Sequence, residues 1–81
     1  MIYNESDFKK LGFRNQKGEK HIIEASAEIS HGEYITVQLS IDRGKLSFFG
    51  IQVQGAKADE KRKEYLKEYT LLEIYKLFSD Y

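Results

Sequence analysis

Two histidines, His21 and His31, are the residues best suited to hold a metal ion or move a proton near neutral pH. They stand ten apart, at the two ends of a segment in which apolar and polar residues alternate. If that segment is extended, roughly 33 Å separates them, too far to share an ion within one chain. There is no cysteine, which removes thiolate ligands, disulfides and thiol nucleophiles. Glu24 and Glu28 project from one face of the same segment. Four residues of strand set them about 13 Å apart, wider than the roughly 5–9.5 Å between paired glycosidase carboxylates. No G-x-S-x-G, phosphate-binding loop or G-x-G-x-x-G occurs. The expectation is a non-enzymatic chain with no cofactor and no metal.

The elements that carry these residues are legible. In His21–Ser30 the odd positions Ile23, Ala25, Ala27 and Ile29 oppose Glu24, Ser26, Glu28 and Ser30. Glu33–Asp42 repeats this, with Ile35, Val37, Leu39 and Ile41 against Tyr34, Thr36, Gln38 and Ser40. A period of two puts one set in a core and the other in water. Phe49, Ile51 and Val53 extend the buried face onto a third strand, and His31-Gly32 and Arg43-Gly44 supply the reversals. Three-residue loops would pair Ile29 with Ile35 and Ala27 with Val37. At the second turn they would pair Ile41 with Lys45, Val37 with Phe49 and Ile35 with Ile51. Phe48 and Phe49 cannot both face inward without a bulge.

Asn4–Gly12 reads as a short helix, capped by Asn4 or Ser6 and ended by Gly12, with Phe8 and Leu11 on one face. Phe13–Lys20 is a polar connector in which Phe13–Asn15 has the option of a short extra strand. Ala58–Asp80 reads as helix, about 35 Å long if continuous. Its Tyr65, Tyr69 and Leu72, with Leu66 beside them, suit packing on the sheet, the tyrosines over Ala25 and Ala27. A second stripe of Leu71, Ile74, Phe78 and Tyr81 lies roughly half a turn away. Either the helix breaks near Thr70 and folds back, or the N-terminal helix covers that stripe, or it meets a partner or a second copy. The expected fold is thus α+β over residues 1–81 as a single domain. It has a short N-terminal helix, a three-stranded antiparallel meander and a long or broken C-terminal helix packed on one sheet face.

Charge is balanced overall, with 13 basic and 13 acidic residues, but sorted along the chain. Lys57, Lys61, Arg62 and Lys63 gather at the start of the C-terminal helix, whereas the first two strands hold Glu24, Glu28, Glu33 and Asp42 without a base. The N-terminus lacks a signal-peptide pattern and no run reaches membrane-spanning length, so a cytoplasmic protein without membrane contact is the expectation. A hydrogen-bonding sheet face of Ser26, Thr36, Gln38 and Gln52 around Phe48, with Leu46 and Tyr34 nearby, suits a protein interface. Phe48 has an alternative place, bulged into the core. The candidate interface residues are therefore Tyr34, Gln38, Leu46, Phe48, Leu71, Ile74, Phe78 and Tyr81.

In element order, residues 4–75 resemble the double-stranded RNA-binding domain, whose basic cluster at the start of the last helix bridges phosphates. Lys57, Lys61, Arg62 and Lys63 occupy that place, although the family's Ser-Lys-Lys-x-Ala-Lys-type run is absent. The resemblance implies duplex nucleic acid as the alternative partner. The chain is also similar in outline to the integrase arm-binding domain, whose sheet faces phosphates where this one carries Glu24, Glu28 and Asp42. In size and architecture it resembles phage-encoded inhibitors, including some anti-CRISPR proteins. That likeness implies an inhibitor or adaptor of a phage or mobile element, acting through protein contacts.

Overall fold

The computed structural model describes residues 3–80. In chain order it contains α1 (Glu5–Lys10), β1 (Arg14–Asn15), β2 (Ile22–Ser30), β3 (Glu33–Asp42), β4 (Lys45–Gly55), α2 (Ala58–Tyr65) and α3 (Leu71–Ser79). The fold is α+β, with one antiparallel sheet in the order β1-β2-β3-β4. The sheet has four strands, not three. Fully buried Phe13 draws the connector onto the core, and the next two residues then pair with Glu24 and Ile23 of β2. Tertiary docking, not alternation, makes this strand.

Asn4 caps α1 by a reciprocal box: its side chain accepts from the Asp7 amide, and the Asp7 carboxylate accepts from the Asn4 amide. Gly12, at φ 108°, takes the chain out of the helix.

Both hairpins shift register; the first keeps its expected faces, and the second exchanges them over residues 46–49. Across the first turn Ala27 opposes Ile35 and Ala25 opposes Val37, with an irregularity between Glu28 and Ser30. The shift is even, so the core side chains stay inside. The second turn has two residues, not three: Arg43 (φ 52°) and Gly44 (φ 81°) are both left-handed, as a type I′ hairpin requires. Asp42 then pairs with Lys45, and Ile41 meets Leu46 instead of Lys45. That parity carries Leu46 and Phe48 to the inner face, Phe48 opposite Leu39. A bulge follows, and beyond it Gln38 opposes Gly50, so Ile51 and Val53 regain the inner face against Val37 and Ile35. Phe49 is the extra residue and is 58% exposed. The expected roles of the two phenylalanines are exchanged by this bulge.

The long C-terminal helix is broken at residues 66–70. Thr70 starts α3 with a capping box, its hydroxyl accepting from the Glu73 amide and the Glu73 carboxylate accepting from the Thr70 amide. The break turns the second stripe inward: Ile74 and Phe78 are buried and Leu71 packs beside them. Leu66 and Leu72, expected on the sheet, are about half exposed. Tyr69 lies against Phe48 of β4 at 5.8 Å between ring centres, not over β2, because α2 packs along β4. Phe8, Phe13 and Phe78 interlock edge to face at 5.4 and 4.9 Å, joining α1, the connector and α3 into one core with the inner sheet face.

Candidate functional site

The buried apolar residues of all three helices, Phe8, Ala58, Ile74 and Phe78, join one core with the inner face of the sheet. The outer face is left uncovered. It carries Glu24, Ser26 and Glu28 from β2, Tyr34, Thr36, Gln38 and Ser40 from β3, and Ser47, Gln52 and Gln54 from β4, with Phe49 exposed at the bulge between them. Its centre is a shallow polar depression of about 580 Å³ whose lining includes Arg14, Glu24, Ser26, Thr36, Gln38, Gln52 and Gln54. Cross-strand hydrogen bonds organise it: Ser26 and Thr36 hydroxyls meet at 2.7 Å, and Ser40 and Ser47 at 2.8 Å. Gln38, 9% exposed, donates from Nε2 to Glu24 at 3.4 Å. Tyr34 is exposed, and its hydroxyl is raised above the usual tyrosine value by its hydrogen bond to Glu28, then by the charge of that carboxylate and by burial.

Of the expected interface residues, Tyr34 and Gln38 stand on this face. Leu46 and Phe48 do not: the two-residue loop turns them inward, where both pack against the core. Leu71, Ile74 and Phe78 also belong to the interior, because the break at residues 66–70 reorients their stripe. Tyr81 lies outside the described residues. Phe49, which the alternation assigned to the core, is exposed at the bulge instead, a second exposed aromatic besides Tyr34. Its signal was the adjacent Phe48-Phe49 pair, which requires a bulge but does not say which ring leaves.

The basic cluster spans the start of α2. Arg62 is paired with Asp59, and Lys61 stands 3.8 Å from Glu64. Lys57 and Lys63 form no ion pair among the described residues. His21 and His31 are exposed in the turns at opposite ends of β2. Among the described residues no three metal-ligating side chains cluster, and no helix is long and apolar enough to cross a membrane.

One residue escaped the sequence reading. Glu33 begins β3 at an inward position and is 4% exposed. Its Oε1 accepts from the Lys57 amide at 2.9 Å, and its Oε2 is buried without a partner. Lys57 has no side-chain cap, so this carboxylate serves the positive end of α2 from the neighbouring strand. A Cβ at Gly55 (φ 134°) would overlap Glu33 Oε2 and the Gly32 carbonyl oxygen. An acid in phase with Ile35, Val37 and Leu39 was the readable signal.

A second concavity, about 500 Å³ and largely apolar, lies between the β3–β4 turn and the start of α3, lined by Tyr3, Leu46, Leu71 and Leu72 among others. Compared with known proteins, the chain matches no family model, no curated protein and no solved structure.

Proposed function

We propose that this chain is a small, non-enzymatic, cytoplasmic binding protein that recognises a protein partner through the outer face of its sheet, as an inhibitor or adaptor of a phage or mobile element would. The observation that carries this reading is the bulge of β4, which presents Phe49 to solvent on a face otherwise built of hydrogen-bonding side chains. Exposed aromatics within a polar, hydrogen-bonding field match the composition of protein interfaces. Duplex nucleic-acid binding through Lys57, Lys61, Arg62 and Lys63 is the weaker reading, since Arg62 and Lys61 already face acids on their own helix.

The test compares partner capture by the intact chain with that by Tyr34→Ser and Phe49→Ser, alongside titrations with duplex RNA and duplex DNA. The expected result is capture lost in both variants at unchanged melting temperature. Duplex binding that falls steeply between about 50 and 200 mM salt, and disappears when the four bases become Ala, would transfer the function to α2.

A further inference from the structure

The carboxylates of β2 indicate what kind of protein surface the outer face fits. Glu24 and Glu28 point to the same side, about 13 Å apart along the strand. Among the described residues neither forms an ion pair. Each instead faces a neutral side chain across the strand pair, Glu24 opposite Gln38 and Glu28 opposite Tyr34. Arg14, the base nearest by register, lies opposite Glu24. It lines the same depression but forms no ion pair among the described residues, donating instead to the Lys9 and Phe13 carbonyl oxygens at 3.0 and 2.8 Å. The outer face therefore carries two carboxylates without an ion pair on one strand and, two strands away, the exposed ring of Phe49.

Resting on the protein-recognition reading above, we infer that the partner docks a basic segment on this face, with Lys or Arg side chains spaced to reach Glu24 and Glu28. The Tyr34 ring, beside Glu28, flanks the second cation. Phe49 supplies an apolar anchor on the far side of the depression. Complementary charge fixes the register of such a segment and speeds its encounter more than it adds raw affinity. The same carboxylates repel phosphates, so nucleic acid is disfavoured as an occupant of this face.

The probe is a peptide of about twelve residues, long enough to cross the sheet, alternating Arg and Thr. Matched peptides carry Gln or Glu in place of Arg. Each is titrated into the isotope-labelled full chain while backbone amide resonances are followed. The Arg peptide is expected to shift amides of β2 and β3 around Glu24–Tyr34. Its binding should weaken about tenfold in the Glu24→Gln, Glu28→Gln double variant, at unchanged melting temperature, and again with added salt. Equal binding of the Gln peptide to these strands would overturn the charge inference while leaving protein recognition standing. Arg-peptide shifts confined to α2, or none on the outer face, would also overturn it. Protein recognition itself is decided separately, by the Tyr34 and Phe49 variants against the captured partner.

Discussion

Phe48 and Phe49 are adjacent in sequence and identical in chemistry, yet one belongs to each face of the sheet. Phe48 sits under Tyr69 in a face closed by three helices, and Phe49 stands in water on the face they leave open. The inner face is held by shape, through interlocked rings and aliphatic side chains. The outer face is held by cross-strand hydrogen bonds between short polar side chains. A fold this small has only enough apolar surface to close one side of its sheet, and the other is left to solvent.

Substitutions at matched positions break or sharpen that contrast. The largest effect is expected for Ile74→Asp, which places an unpaired charge where no solvent reaches. A loss of about 4 kcal/mol or more, read as unfolding at ambient temperature, should follow. A folded, stable variant would mean that α3 does not close the inner face. Next come Phe48→Ser, with a loss of about 2–3 kcal/mol from a half-buried ring, and Gly55→Ala. The latter forces a Cβ into Glu33 at a left-handed φ, costing about 2–3 kcal/mol. Denaturant unfolding measures both. Thr70→Ala removes the α3 cap and should cost about 1 kcal/mol.

The same cap has a pH signature. Hydrogen bonding with Thr70, first to its backbone amide and then with its side chain, and Lys67 nearby, hold Glu73 below its ordinary value of 4.5. A lowered value in the folded chain means that the contribution is present above the unfolded value and is lost as pH falls through the folded one. Stability of the intact chain should thus decline below about pH 4.5, and Glu73→Gln should decline less over that window. The smallest effect is expected for Phe49→Ser, within about 0.5 kcal/mol of unchanged. Paired with the loss from Phe48→Ser, it separates the two faces; equal losses would erase the distinction.

Much of this architecture is written in local pattern. The alternation in residues 21–42 names the inner residues of β2 and β3, and Arg43-Gly44 names a turn. Asn4 with Asp7, and Thr70 with Glu73, mark the starts of α1 and α3. The candidate site was less legible. Tyr34 and Gln38 follow from strand phase alone, whereas Leu46, Phe48 and the Leu71–Phe78 stripe do not, since their side depends on a loop length and a helix break.

The sequence by itself determined that residues 21–54 form antiparallel strands flanked by helix on both sides, where the chain reverses and which charges lie together, because these depend on neighbours a few residues away. Only the tertiary structure decided which phenylalanine faces the core, that Phe13 draws β1 into the sheet, and that Glu33 caps a helix 24 residues onward. A period of two carries no record of its own phase. A two-residue turn changes that phase by one and a bulge restores it, and neither is chosen until the strands pair and the core closes.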